Sequence, residues 1–433
     1  MAEIKPIKGW RYNKELQKEI EDLTSPLFDV VSAKQREALY KNELNSIHLS
    51  VPQGPDAAEK AKERLQKWKE QGIIEQDPLP GIYVYYQYFT LPGSNKEYIR
   101  KGFIAFLRAY DWEDGELLRH ENTIPKSVND RIDILEKTQM NVSATHGLYT
   151  DHDFELEEYM DEAMKMPLSE SEDYQGVREV LSVIHDAKII KKFIEKIADQ
   201  KIILADGHHR YEGSMLYRQQ MIKENPNHTG EEGYNFHMMY FTNSAADDLR
   251  ILPTHRLIQN LPDFNEAEIM QKLEEDFHIK AVENASDIHE VILGKKWAFG
   301  LLFKDKTYKI RLKPESIDKL EWPFPDVVKQ LDLTVMHYFF IEKILGIAGK
   351  EQRRSENIAF ERNFFNCLTQ VQSGEANMAL ITKEISMEQV REVCFSGYTM
   401  PQKSTYFYPK TICGFLFSSI KEDEFSLPPY FRL

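Results

Sequence analysis

The sequence predicts an α+β protein with mixed sheets, divided into an N-terminal domain over residues 1–260 and a further α+β unit over 261–433. Three observations predict it. Aromatic residues alternate at strand spacing in IYVYYQYFTL and again in YIRKGFIAFLRAYDW beyond a Pro-Gly turn, which reads as a meander and not as a strand-helix-strand series. A short apolar strand, KIILA, runs through Asp206-Gly207 into the helical stretch HRYEGSMLYRQQMIKENP, which ends before Pro226. From about Leu261 the texture changes to helices mixed with a hairpin, and 433 residues exceed what one ordinary core holds.

In chain order, SPLFDVVS starts extended and passes into a helix with Ser32 as N-cap. AAEKAKERLQKWKEQGII is a charged amphipathic helix closed by Gly72. After the two aromatic strands, RHENTIPKSVNDR is a polar loop, and Asp130 is placed to cap a helix from Arg131 to Met140. The acidic stretch from Asp151 to Gln200 contains one strand-like segment, VREVLSVIHDA, and NFHMMYFTN is a further strand. In the last part, FNEAEIMQKLEEDF and DVVKQLDLTVMHYFFIEKILGI read as helices flanking the hairpin KWAFGLLFKDKTYKIRLK, which turns at Asp305. GYTMPQKSTYFYPKTICGFLF sets lysines and hydroxyls among aromatics and prolines, and is expected to return to the functional site.

Composition narrows the function. With 42% apolar and 29% charged residues the chain is built to fold. Fifty-five basic against 70 acidic residues leave a charge of −15, and an acidic surface repels a nucleic-acid backbone. Nucleic acid is therefore disfavoured as a partner and a small-molecule substrate is expected. Cys367, Cys394 and Cys413 are odd in number and lack CxxC spacing, as reduced core residues of a cytoplasmic protein would. No apolar leader or eighteen-residue apolar run marks export or a membrane span.

The densest chemistry lies in LADGHHRYEGS, residues 204–214. A strand that turns through a glycine into a helix lets backbone approach an anion while helix amides point at it. Phosphate is the anion that fits. Arg210 can clamp it, His208 or His209 can act as donor or acid, and Asp206 can serve as base or metal ligand. The same residues also fit a helix cap, a turn and ordinary core histidines. In RHENTIPKSVNDR, Lys126 and Arg131 can neutralise phosphate oxygens and Glu121 can hold Mg²⁺, although a solvated loop has this composition too. His255 and Arg256 in LPTHR, Lys403 in KSTYFYPK and Asp29 in SPLFDVVS complete the candidates. Zinc on His120, His208, His209 and His255 is the hydrolytic alternative, weakened because adjacent side chains point apart.

Taken together and in order, SPLFDVVS, Asn45-Ser46, YVYYQYF, RHENT with Lys126 and Asp130-Arg131, ADGHHRYE, LPTHR and MPQKSTYFYPK resemble the family labelled domain of unknown function 1015, from near Pro6 to near Phe417. The Asp206 to Tyr211 run also resembles the phosphate-binding turn of the ParB and sulfiredoxin superfamily, which includes free serine kinases. That likeness implies a ParB/sulfiredoxin-like nucleotide-binding core. In it Gly207, His208, His209 and Arg210 would touch phosphate, Asp206 would organise Mg²⁺ or the acceptor, and ATP or ADP would be the nucleotide. Two departures stand out: free serine kinases carry an early catalytic glutamate where this chain offers Asp29, and Leu27-Phe28 replaces the family's usual Pro-Tyr. The reading favoured is a nucleotide-dependent phosphotransferase, with Asp29 or Glu121 as base. A phosphohydrolase or metal-dependent hydrolase, with His209 as acid, and a ParB-like nucleotide switch are the alternatives. A single site further predicts that His120, Arg131, His209 and His255 converge.

Overall fold

Period-two alternation in the apolar strands builds a sheet buried on both faces. In the strand Phe236–Asn243, Met238 and Tyr240 enter one core beside Tyr85 and Ile104, while Met239 and Phe241 enter another beside Val84, Phe103 and Leu204. Every residue of that strand is consequently buried. The computed structural model describes residues 1–28, 30–91 and 94–427. Among these the sheet runs in the order Ser169–Glu172, Arg178–Ile184, Ile82–Thr90, Glu97–Arg108, Phe236–Asn243, Thr145–Tyr149, Ile202–Asp206 and Leu117–Leu118, with Ile4–Lys5 paired to Glu97–Arg108. It is mixed: Phe236–Asn243 lies parallel to Thr145–Tyr149 and antiparallel to Glu97–Arg108. The expected meander is present, with Ile82–Thr90 antiparallel to Glu97–Arg108.

The chain divides into two units. The first comprises Met1–Arg119, Thr123–Leu249 and the stretch from Pro409; the second comprises His120–Asn122 and Arg250–Tyr408. The sequence boundary at 260/261 follows a change of texture, whereas the units divide at Arg250 and the last segment belongs with the first. In the first unit, Asp186 caps the helix Ala187–Ala198 through the amides of Lys188 and Ile189, and the helix buries Ile190, Phe193 and Ile197. Ser32 caps Ala33–Leu39 in a reciprocal box with Gln35, as its position predicts. The helix expected from Arg131 instead spans Pro125–Thr138, because Pro125 supplies a preset φ at its first position. Asp130 is therefore inside the helix and pairs with Arg131.

The second unit is an antiparallel sheet in the order Phe277–Val282, Thr307–Leu312, Ala298–Leu302, Met378–Ile381, His255–Ile258 and Ile358–Glu361. Its hairpin turns where expected, with the Phe303 amide bonding Lys306 O at 2.8 Å. The long helix expected over DVVKQLDLTVMHYFFIEKILGI does not form as one piece. It breaks into Asp326–Lys329, Asp332–Val335 and a π-helical Met336–Glu342, and the Asp332 carboxylate is drawn off to accept the Trp297 amide at 2.6 Å. All three cysteines are buried and reduced. No helix among the described residues is long and apolar enough to cross a membrane.

Four buried histidines are kept neutral. Burial, helped by neighbouring cations, holds the imidazoles of His237, His255 and His337 down at about 3, and holds His146 well below its ordinary value. Between that value and the ordinary 6.5 the unfolded chain binds more protons than the folded one. Their stabilising contribution is complete above about pH 6.5 and is lost as pH falls toward 3, at up to about 1.4 kcal/mol per pH unit for each histidine. Thermal melts from pH 6.5 down to pH 4.5 should show a falling midpoint, and a flat profile over that range would contradict this assignment.

Candidate functional site

The strand Ile202–Asp206 ends at Gly207, whose φ of 90° lies in the left-handed region, and the helix His208–Glu224 begins immediately after it. Glycine is required twice over. A Cβ here would fall 2.6 Å from Thr145 Cγ2 and 2.9 Å from Arg210 Nη2. The side where a Cβ would project is thus filled by Thr145 and Arg210, so the glycine serves close packing of the turn on the neighbouring strand.

Asp206 sits at the centre of the turn. Arg210 Nη2 donates to its Oδ2 at 3.0 Å, and Lys410 Nζ ion-pairs with its Oδ1. Arg210 Nη1 donates to Ser143 Oγ at 3.0 Å and to Ala144 O at 2.6 Å, which pins the helix start to the segment leading into Thr145–Tyr149. On that strand His146 lies opposite both Asp206 and Tyr240, stacks on the Tyr240 ring at 5.2 Å and bonds Thr242 Oγ1 at 2.7 Å. Burial is the largest cause of its lowered pKa, followed by the positive charges of Arg100, Lys410 and Arg210.

Arg100 opens a second layer. Its Nε donates to Gln87 Oε1 at 2.9 Å and its Nη2 to Pro409 O, while its buried Nη1 has no hydrogen-bond partner among the described residues. Gln87 Nε2 donates to Lys410 O at 2.9 Å and to Glu179 Oε1 at 3.2 Å, and Tyr85 OH donates to Glu179 Oε2 at 2.5 Å. Glu179 is completely buried, and desolvation pushes its carboxyl up to about 8 against those hydrogen bonds. Burial thus favours its neutral form.

Among the other residues marked in the sequence, His209 Nε2 accepts the Ile124 amide at 3.0 Å, at the start of the helix Pro125–Thr138. That bond satisfies an orphan amide of the helix and fixes the imidazole. His208 is buried, and Lys126 is exposed in the first turn of the same helix. Arg131 donates to Ser50 O at 2.8 Å and lies over the Phe28 ring at 4.6 Å. With Ser143, Arg210, Ser214 and His237 it lines a cavity of about 40 Å³. Asp29 lies outside the described residues. The segment before it is held in this unit, since Ser25 and Pro26 pair with Cys413 and Ile412.

His120, Glu121, His255, Arg256 and Lys403 belong to the second unit. His120 bonds Thr405 Oγ1 at 2.7 Å, and His255 Nδ1 accepts the Thr382 amide at 3.2 Å. Arg256 is wholly buried, and desolvation lowers its guanidinium to about 9. It donates to His337 Nε2 at 3.2 Å, to Gln402 O at 2.9 Å and to Lys403 O at 3.3 Å, so it ties a strand to a loop. The four residues expected to converge are therefore shared between units, with Arg131 and His209 in the first and His120 and His255 in the second.

The metal expectations fare differently. A carboxylate already held by two cations does not fit as a Mg²⁺ ligand. Among the described residues the group with metal-ligand spacing is Asp151, Asp153 and Glu155, with no histidine in it. Lys196 Nζ already lies 3.2 Å from Asp151 and 2.9 Å from Glu155.

The model of the family described as Protein of unknown function (DUF1015) matches residues 4–334. Solved structures similar to the chain include a free serine kinase in complex with AMP, with 14% identity, 75% of this chain and 93% of that one covered, and a TM-score of 0.36. A conserved hypothetical protein from Pyrococcus furiosus has 13% identity, coverage of 75% and 97%, and a TM-score of 0.34. SbnI from Staphylococcus aureus, truncated at its C-terminus, has 11% identity, coverage of 72% and 85%, and a TM-score of 0.34. No curated protein matches.

Two outcomes follow from this geometry. Gly207→Ala should destabilise the protein by about 1–3 kcal/mol in denaturant melts, through the strained φ and the contact with Thr145. Glu179 binds a proton in the fold that the unfolded chain releases above its ordinary 4.5, so its contribution fades as pH rises through about 8. Glu179→Gln should remove that alkaline loss, leaving a flatter stability profile from pH 6 to pH 9 than the parent shows.

Proposed function

The chain belongs to the DUF1015 family, and we propose that its first unit binds the phosphates of a nucleotide such as ATP beside the Asp206-Gly207 turn and passes a phosphoryl group to a small hydroxyl-bearing acceptor. The observation that carries this reading is the gathering of Arg100, Arg210 and Lys410 around one neutral histidine, His146. Asp206 is the carboxylate ion-paired to two of them, and Glu179, the acid nearest Arg100 in the hydrogen-bond network, is held protonated. Cations collected at such depth are costly unless an anion joins them, and the unused Nη1 of Arg100 is a donor waiting for an acceptor oxygen.

In the proposed transfer, the acceptor oxygen forms a bond to the terminal phosphorus while the bond from that phosphorus to the bridging oxygen breaks, releasing the nucleoside diphosphate. The hydroxyl proton passes to a carboxylate base, for which Asp29 is the candidate from the sequence. Arg100, Arg210 and Lys410 balance the charge that develops on the phosphoryl oxygens. His208 and His209 join the helix start that faces the phosphates. No step is routed through a metal, since Asp206 as it is held does not fit one.

The test is calorimetric titration of the full chain with ATP and ADP, followed by a transfer assay against hydroxylated metabolites. Lys410→Met and Arg100→Gln should each weaken nucleotide binding by about 10- to 100-fold, the range for a lost charged hydrogen bond, while Lys126→Met, on an exposed turn, should change it little. Unchanged affinity in both buried-site variants, with melts showing them folded, would reject the reading.

A further inference from the structure

The second unit holds a cavity of about 530 Å³, within the size range of small-molecule sites, that the phosphotransfer reading does not use. Its apolar lining includes three aromatic rings. Trp322 and Phe324 meet edge to face at 5.8 Å, and Phe360 packs against the guanidinium of Arg256 at 5.3 Å. Trp322 is fixed in place: its indole donates to Glu342 at 3.2 Å, the Gly349 amide also donates to Glu342, and a Cβ at Gly349 would strike the ring at 2.5 Å. His337 reaches the lining from the π-helical turn, an irregularity often found where helices bind ligands.

Charge of both signs borders this apolar wall. Glu121 lines the cavity half-buried, and no hydrogen bond or ion pair among the described residues engages its carboxylate. Lys350 and Arg353 line it as well, and the buried Arg256 lies close enough to Glu121 for the two charges to interact. A purely cationic ligand would meet Lys350 and Arg353, and a purely anionic one would meet Glu121 and Glu342. A ligand that carries an ammonium, a carboxylate and an apolar ring matches all three features at once.

We infer that this cavity is a binding site for a zwitterionic aromatic compound of the α-amino acid class, with its ammonium toward Glu121, its carboxylate toward Lys350 and Arg353, and its ring against Trp322 and Phe360. The site lies wholly within the second unit, so it stands or falls independently of nucleotide binding in the first.

The full chain is labelled with 5-fluorotryptophan, and the Trp322 resonance, assigned through Trp322→Phe, is followed by ¹⁹F NMR during titration. Four probes are compared: L-phenylalanine, 3-phenylpropionate without the ammonium, phenethylamine without the carboxylate, and L-serine without the ring. L-phenylalanine should move the Trp322 signal saturably and bind at least about tenfold tighter than each of the others, the ratio that one lost charged hydrogen bond produces. Glu121→Gln, a near-isosteric change at a half-buried position, should bring L-phenylalanine to the level of 3-phenylpropionate, and Lys350→Met should bring it toward phenethylamine. The inference is overturned if L-phenylalanine gives no saturable shift, if either single-charge analogue binds equally well, or if Glu121→Gln leaves the ranking unchanged. Equal movement of the Trp10, Trp68 and Trp112 signals, all in the first unit, would overturn it too.

Discussion

The carboxylate of Asp206, gripped by Arg210 on one oxygen and Lys410 on the other, is the junction on which the first unit depends. Two pieces of chain distant in sequence meet there: the strand-turn-helix around Gly207 and the segment near the carboxyl terminus. The group is nearly buried, so removing any member strands the others without solvent, at a cost of about 3–5 kcal/mol for a broken buried pair. Arg210 extends the junction to Ser143 and Ala144, and Arg100 reaches the carbonyl of Pro409 beside Lys410. The turn, the sheet and the last segment are held as one polar lattice inside an otherwise apolar interior.

That interior decides which charges survive. His146 and His237 sit within reach of guanidinium groups and stay neutral; burial favours the protonated form of Glu179 despite the hydrogen bonds it accepts from Tyr85 and Gln87. The outcome is a local excess of positive charge produced by burial and not by surface composition, in a protein whose formal charge is −15. A global count of acids and bases says nothing about such a buried cluster, because electrostatic interactions strengthen sharply where water is excluded.

Much of the fold was legible because alternation and caps are local signals. Ser32, the aromatic meander, KIILA and the hairpin at Asp305 all lie where the pattern puts them. Asp130 misled because Pro125 supplies an earlier start, and the stretch Asp326–Glu342 misled because Asp332 is recruited by Trp297 across the unit. The site was half legible. Asp206, Gly207 and Arg210 are adjacent in sequence and announce themselves, but their roles differ from a simple anion cradle: Gly207 packs on Thr145 and Arg210 braces Asp206. Of the carboxyl-terminal lysines, Lys403 was singled out, yet Lys410 carries the ion pair. Arg100, Gln87 and Glu179 were missed altogether, although each is a polar residue in a strand whose neighbours are apolar. That interruption was the available signal. The pairing of these strands is long-range and leaves no trace in local spacing.

The division of the first unit has a consequence for how the protein comes into being. Phe415, Phe417, Ile420 and Phe425 belong to the core that Tyr12, Trp68 and Tyr85 also fill, and Phe417 pairs through its backbone with Trp10. Between the two groups lies the entire second unit, which is a self-contained sheet and can condense as soon as it clears the ribosome. The first unit cannot. Its opening residues must wait, with one core face exposed, through the synthesis of more than a hundred intervening residues until Lys410 and the aromatics behind it arrive. The unit whose strands begin earlier along the chain is therefore the one completed later.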